Sequence, residues 1–315
     1  MKREEFTFKG KEAVDIFYYR WQVPEELEAK GIFLILHGMA EHSFRYDNFA
    51  NFLCEHGYIV YATDHRGHGK TGKSIDRLGY FGEGGWSLLV NDVYQLLSII
   101  KSNHKDIPII LFGHSMGSIL ARTCISEYGS EFDEVILSGT TNGNSGFFRK
   151  SSLCLAKIIA FFTDGQKKSP LMDKVAFGKY NKKFSKETSV EWLTRDEEKK
   201  QEYLDDELCG FICTASFFVD MLDGINKNAK ESNVERVPSN LPMYIFSGTM
   251  DPVGNYGKDV FNTYELYKDV AKLENVKLKL YEDGRHEMLN EVNKDEVYKD
   301  ILEWIEAQDL QAVQT

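Results

Sequence analysis

Short, mainly apolar runs recur along the chain at Ile32–Leu36, Tyr58–Thr63, Ile107–Phe112, Val135–Ser138, Met243–Ser247 and Val276–Tyr281. Between them lie stretches of helical periodicity, such as Trp86–Lys101, where Leu89, Val93, Leu96, Leu97 and Ile100 share one face. A strand that is apolar throughout has both faces covered, and strands joined by helices run parallel. The pattern therefore demands an α/β fold with a mostly parallel sheet flanked by helices. Phe6–Phe8 and Val14–Val23, on either side of Gly10, read as an antiparallel hairpin and bring the count to eight strands.

The alternation stops between about Asn142 and Val237, where helical patterns persist without a convincing strand, and resumes at Met243. The simplest organisation is a core of residues 1–141 and 238–315 interrupted by a helical insertion, 142–237, that caps the carboxyl ends of the strands. No internal repeat or low-complexity tract is present. At 315 residues the chain is long enough to bury a core without disulfides or metals.

One turn carries a chemical signature. The strand ending at Phe112 runs directly into Gly113-His114-Ser115-Met116-Gly117, and Ile119–Tyr128 reads as a helix. Gly-x-Ser-x-Gly in a strand-to-helix turn exposes the serine on a strained backbone that only flanking glycines accommodate. A serine hydroxyl needs a base to take its proton and a third group to orient that base. In this arrangement the acid and then the histidine follow on loops after later strands. Asp251 follows Met243–Ser247, and His286 follows Val276–Tyr281. His286 is the only histidine beyond His114, while Asp220 and Asp223, the rival acids, fall inside the insertion. Glu282 and Asp283 stand too near His286 in sequence to reach around its ring. The oxyanion of an acyl-transfer intermediate needs fixed donors. The Met116 N–H supplies one, and the Met39 N–H, on the loop after Leu34–Leu36, is the candidate for the second.

Two other motifs are decoys. Gly67-His68-Gly69-Lys70-Thr71-Gly72 matches a dinucleotide fingerprint. The helix it should open is contradicted by Gly79, Gly82, Gly84 and Gly85, and Asp64 stands where a phosphate loop needs its first glycine. His65 and His68 lack a ligand cluster at metal spacing and fit a hydrogen-bonded loop. No metal and no cofactor are expected. A net charge of −11 argues against nucleic acid as a partner. Five scattered cysteines without a Cys-x-x-Cys pair read as reduced thiols. The amino terminus shows no signal peptide, and no apolar run approaches a bilayer span, so a cytoplasmic protein is expected.

Taken together, these stretches resemble the monoglyceride lipase and lysophospholipase group of α/β-hydrolases. The resemblance runs through His37-Gly38-Met39-Ala40-Glu41-His42-Ser43-Phe44-Arg45-Tyr46, Asp64-His65-Arg66-Gly67-His68-Gly69 and Gly113–Gly117. It continues through Asp251-Pro252-Val253-Gly254 and Arg285-His286-Glu287-Met288-Leu289-Asn290-Glu291, so it spans Ile32 to Glu291. Ser118 departs from a glycine common at that position. The resemblance implies Ser115, Asp251 and His286 as a catalytic triad, the Met39 and Met116 amides as oxyanion hole, and a cap over an acyl-chain pocket. A serine esterase acting on a small acyl ester such as a monoacylglycerol or lysophospholipid follows. An aminopeptidase or amidase with the same triad is the alternative within enzymes, and a non-catalytic ligand-binding homologue the alternative outside them. Trp192-Leu193-Thr194-Arg195-Asp196 looks like a bacterial cap motif and receives no role from sequence.

The insertion is charge-segregated. Ten basic against two acidic residues occupy Asn142–Lys186, and six against thirteen occupy Glu187–Val237. Leu153–Phe162 is apolar but for Lys157, and Arg149 and Lys150 precede it. It fits either a lid helix making transient contact with a lipid surface or a helix packed on the core. Phe211, Thr214, Ala215, Phe218, Met221 and Leu222 share one helical face. Phe211, Phe218 and Met221 are candidates for the substrate pocket, with simple core packing as the alternative.

Overall fold

The computed structural model describes residues 2–74, 76–142, 146–163 and 165–312, the side chains of 146–150 and 309–312 excepted. The sheet strands are β1 (Arg3–Lys9), β2 (Asp15–Trp21), β3 (Gly31–Leu36), β4 (Tyr58–Thr63), β5 (Ile109–His114), β6 (Glu134–Ser138), β7 (Met243–Gly248) and β8 (Val276–Tyr281). They form one eight-stranded sheet in the order β1-β2-β4-β3-β5-β6-β7-β8. β2 is antiparallel to both of its neighbours, and every other adjacent pair is parallel. The eight expected strands are these eight. β5 starts two residues later than its apolar run because Pro108 has no N–H for the ladder. The Pro108 carbonyl instead accepts from Ile32 N at 2.8 Å.

The α-helices are α1 (Asp47–Glu55), α2 (Gly69–Lys73), α3 (Trp86–Asn103), α4 (Met116–Tyr128), α5 (Gly146–Phe162) and α6 (Pro170–Phe177). They continue with α7 (Glu197–Asp205), α8 (Ala215–Asn228), α9 (Glu231–Val234), α10 (Lys258–Asp269) and α11 (Lys294–Ala312). β3 shows why its sequence is apolar at every position. Ile32, Leu34 and Leu36 enter one core with Leu89 of α3, Leu120 of α4 and Val260 of α10. Phe33 and Ile35 enter the opposite core with Phe49 of α1 and Ile301 of α11. Each such side chain contributes about 1.5–3 kcal/mol by leaving water. Leu34→Asp would strand an unpaired charge in the middle of the sheet. β8 is different. Lys277 and Lys279 alternate with its apolar residues because it is an edge strand, where lysines discourage further pairing.

The fingerprint-like glycine stretch does open a helix, contrary to the sequence expectation, but only the five-residue α2. Asp64 nucleates it by accepting from Lys70 N at 2.7 Å, and the same carboxylate fills the space beside Gly69.

Between β6 and β7 the described chain contributes α5 to α9 and no strand of the sheet. α8 fixes this segment to α3 and α4. Gly224 lies against the Trp86 ring, where a methyl group would clash. Asn228 donates to the Ile119 carbonyl at 2.7 Å and accepts from Thr123 Oγ1 at 3.0 Å. Thr214 caps α8 by accepting from Phe217 N, so Phe211 lies in the preceding loop rather than on the helix with Phe218 and Met221. Among the described residues no helix is long and apolar enough to cross a membrane.

Candidate active site

At the end of β5 the chain must reverse into α4 within one residue. Ser115 does so at φ 52°, ψ −118°, a left-handed-side conformation that strains any residue with a Cβ. The flanking glycines are required by close approach. A methyl on Gly117 would strike the Leu36 carbonyl, and one on Gly113 would strike the Gly117 carbonyl. Ser115 N donates to the Ser138 carbonyl at 2.9 Å, which pins the turn to β6. Met116 is the first residue of α4, so its N–H belongs to the set without intrahelical acceptors, at the positive end of the helix. Gly38 brings the β3 loop against the same turn, since a Cβ there would stand 3.3 Å from Ser115 Cβ.

Asp251 and His286 come from the loops after β7 and β8 and meet across 3.0 Å, Asp251 Oδ2 to His286 Nδ1. Asp251 is fully buried. It also accepts from Ser247 Oγ at 2.7 Å and from Val253 N at 2.8 Å. Burial pushes its carboxyl up, but His286 and these donors outweigh burial and hold it below the usual aspartate value. Burial likewise lowers His286, and the facing Asp251 carboxylate more than reverses this, so the imidazole sits above its ordinary value. With Nδ1 donating to the carboxylate, the neutral ring offers Nε2 as a free base. His114, whose ring centre is 4.7 Å from that of His286, is pushed down to about 3 by burial and by His286 and stays uncharged.

The Trp192–Asp196 stretch, left without a role by the sequence, is a strap across the His286 loop. The carbonyls of Trp192 and Leu193 accept from His286 N at 3.3 Å and Glu287 N at 2.8 Å. Thr194 donates to the Asn290 carbonyl at 2.8 Å, and Arg195 donates to the buried Glu291 at 2.9 Å. The Trp192 ring lies 5.2 Å from the His286 ring, centre to centre. Gly139 backs the other side, where a Cβ would stand 3.0 Å from His286 Nδ1. These residues were missed because nothing in one sequence links position 192 to position 286.

Ser115, His286, Met39 and Met116 border one cavity of about 570 Å³, within the usual range for a small-molecule site. Phe211, Phe218 and Met221 lie on its wall, joined by Leu222 and Ile225 of α8 and by Ile119 of α4. The alternatives for the α8 face thus divide. Phe217 and Ala215 are buried in the core, while Phe218 and Met221 also reach the cavity.

His42, Asp206 and Cys209 each place one candidate ligand atom within 4.8 Å of the others. His42 Nε2 is already hydrogen-bonded to Asp206 Oδ2 at 2.8 Å, so the group serves as a tether between the β3 loop and the insertion. His65 and His68 pack with His37, at 4.1 and 5.1 Å between ring centres. Burial holds them neutral, at about 3 and about 4.

A strained serine between a parallel strand and a helix, with an acid-paired, buried imidazole on the same cavity, defines a serine hydrolase of the α/β-hydrolase fold. The chain belongs to the family described as Serine aminopeptidase, S33, whose model matches residues 27–293. A monoacylglycerol lipase of Mycolicibacterium smegmatis is 27% identical over 96% of this chain and 97% of its own. The human monoglyceride lipase is 26% identical over 88% and 82%. Among solved structures, a thermostable carboxyl esterase from Bacillus coagulans in complex with glycerol superposes with a TM-score of 0.89. It has 26% identity and covers 98% of this chain and 99% of its own.

Proposed function

We propose that the chain hydrolyses carboxylic esters of the monoacylglycerol type through an acyl-enzyme at Ser115, with Asp251 and His286 completing the triad. The observation that carries this is the 3.0 Å contact from buried Asp251 to His286, whose ring borders the same cavity as Ser115. Ser115 Oγ attacks the ester carbonyl while His286 Nε2 takes its proton. Asp251 holds the ring and balances the imidazolium. The Met39 and Met116 N–H groups receive the oxyanion. As the tetrahedral intermediate collapses, the bond to the leaving alcohol breaks and His286 returns the proton to it. Water, deprotonated by the same imidazole, then releases the acid and restores Ser115.

Three features support an ester with an acyl chain. The relatives named above are lipases and esterases. The cavity wall is mainly apolar, as an acyl chain requires. An aminopeptidase needs a carboxylate free to hold the substrate amine, yet among the described residues of this wall Glu41 and Glu287 are bound to Arg45, which leaves Asp173 alone for that role. In this reading α5 to α9 form the cap, with the core on either side at 1–141 and 238–315. Five free thiols suit a reducing, cytoplasmic compartment.

The cap meets its substrate at a lipid surface. On α5, Phe161 and Phe162 are 82% and 79% exposed and Ile158 is half exposed. Lys157, Lys167 and Lys168 stand exposed around them; the side chains of Arg149 and Lys150 lie outside the described residues. An apolar tip with basic flanks favours anionic lipid. Co-sedimentation with anionic vesicles at low salt should be lost on Phe161→Ser/Phe162→Ser, and absence of wild-type binding refutes the contact.

A hydrolysis panel of monoacylglycerols, lysophosphatidylcholine, short nitrophenyl esters and aminoacyl amides tests the substrate class. Turnover of the amides alone overturns it. Ser115→Ala should lose turnover by several orders of magnitude and all labelling by a fluorophosphonate. A wild-type protein that the probe never labels would be a binding homologue instead.

A further inference from the structure

A buried guanidinium beside the site joins parts of the chain that are far apart in sequence. The Arg45 side chain is 10% exposed. Its Nη1 and Nη2 donate to the two oxygens of Glu287, both at 2.7 Å, and Nη1 also donates to Glu41 Oε2 at 2.7 Å. Glu41 Oε1 in turn accepts from Gly38 N at 2.5 Å and from the Tyr46 hydroxyl at 2.9 Å. Glu287 is the residue after His286. One cation therefore ties the peptide that precedes Met39 to the loop that carries the imidazole. The insertion closes over it. The guanidinium lies 4.9 Å from the Tyr203 ring centre, and the Ala40 carbonyl accepts from Tyr203 Oη at 3.2 Å and from Gly210 N at 2.9 Å.

We propose that Glu41, Arg45 and Glu287 form a positioning clamp that holds the Met39 amide and the His286 ring in one fixed geometry on either side of Ser115. The inference rests on the triad and oxyanion-hole reading above. The chemistry favours such a device because an oxyanion donor is effective only when it is already aimed at the place where charge develops. Apolar packing tolerates sliding, whereas a two-point Arg–carboxylate fork sets both distance and plane. Gly38 cannot drift independently, since a Cβ on it would stand 2.6 Å from Glu41 Oε1 and 3.3 Å from Ser115 Cβ. Ala40 holds a positive φ of 53° beneath the clamp, so this loop is kept in a conformation it does not prefer. The charge state agrees at the Glu287 arm. Burial raises Glu287, but the Arg45 guanidinium outweighs it and holds the carboxyl at about 2. Glu41 is lifted by burial and by Glu287 against the pull of the same guanidinium. None of the three needs to touch the substrate's reacting atoms, so they are positioning residues.

The test uses the full chain with Glu41→Gln, Glu41→Ala and Arg45→Lys, each checked for folding by its melting transition. Glu41→Gln keeps an acceptor for Gly38 N, whereas Glu41→Ala removes it. Arg45→Lys keeps the charge and removes the fork. Glu41→Ala is expected to lower kcat by about 10²–10³, the loss typical of one oxyanion donor, with KM little changed. Glu41→Gln should recover at least ten-fold of that loss, and Arg45→Lys should fall between them. An acyl trifluoromethyl ketone, which Ser115 would convert to a hemiketal oxyanion, should lose affinity in parallel with kcat/KM, while binding of the free fatty acid product stays constant. Folded variants with wild-type kcat/KM overturn the clamp. So does a parallel loss of ketone and fatty-acid affinity, which marks general damage to the pocket. If Glu41→Ala does not fold, Arg45→Lys and Glu41→Gln decide the matter by the same ratio of affinities. Fluorophosphonate labelling separates the two failures. A wild-type chain not labelled at Ser115 defeats the triad reading, whereas labelled variants with normal turnover defeat only the clamp.

Discussion

Asp251→Asn removes a charge without changing the shape of the side chain, and the structure says how the amide must sit. Asp251 accepts three hydrogen bonds, from His286 Nδ1 and Ser247 Oγ on Oδ2 and from Val253 N on Oδ1. An amide has only one oxygen. Turned toward Val253 N, that oxygen keeps its backbone bond, and the NH₂ group then donates to His286 Nδ1. The imidazole is forced to carry its proton on Nε2, where it can no longer take one from Ser115. Turned the other way, the NH₂ group faces the Val253 N–H, and two buried donors oppose each other at a penalty of about 1–3 kcal/mol. The unproductive tautomer is therefore favoured by roughly 5- to 150-fold. Loss of the carboxylate facing the imidazolium adds the rest, for a total fall in kcat of roughly 10⁴ by analogy with other triads. The assay is steady-state hydrolysis of a nitrophenyl ester beside the rate of fluorophosphonate labelling, on a variant whose melting transition shows it folded. Turnover within ten-fold of wild type would refute the reasoning, because His286 would then be oriented by something other than Asp251.

The same pair sets opposing pH dependences. His286 must be neutral to act as a base, and its value lies above 6.5, so kcat/KM should fall on the acid side as pH drops through that raised value. A raised folded-state histidine stabilises fully below 6.5 and loses that contribution as pH rises through its folded value. A depressed aspartate stabilises above 3.8 and loses its contribution as pH falls through its folded value. The melting-temperature difference between wild type and His286→Gln should thus be largest between those two ordinary values and shrink above them; a difference that is flat with pH would contradict this. Gly117→Ala drives a methyl into the Leu36 carbonyl. It should abolish fluorophosphonate labelling and lower the melting temperature, and a labelled, fully stable variant would show that the elbow has more room than the structure allows.

The strands were legible because each central one is buried on both faces, so Ile32–Leu36 could hardly be anything else. Ser115 was legible because strand, strained turn and helix constrain five consecutive residues locally. That Asp251 and His286 should meet followed from chain order and strand ends. What sequence could not supply were the contacts made across distance. The α2 turn depends on Asp64 reaching Lys70 N, and Phe211 leaves the α8 face because Thr214 caps the helix. The strap at Trp192 meets the His286 and Glu287 amides through backbone carbonyls, which are identical in every residue type. Arg45 stands in the sequence only as part of the His37–Tyr46 stretch, and its contacts with Glu41 and Glu287 appear only once the chain is folded.

The insertion between β6 and β7 separates the proposed nucleophile from both of its proposed partners along the chain. The Ser115 turn is pinned by β6, just ahead of the insertion, while Asp251 and His286 lie beyond it. During synthesis the elbow sequence therefore emerges well before the residues proposed as its base and acid. On the proposed triad, a product truncated within the insertion lacks both base and acid and would be chemically mute. The order of the segments would then delay the onset of hydrolysis until the insertion that lines much of the cavity has been made.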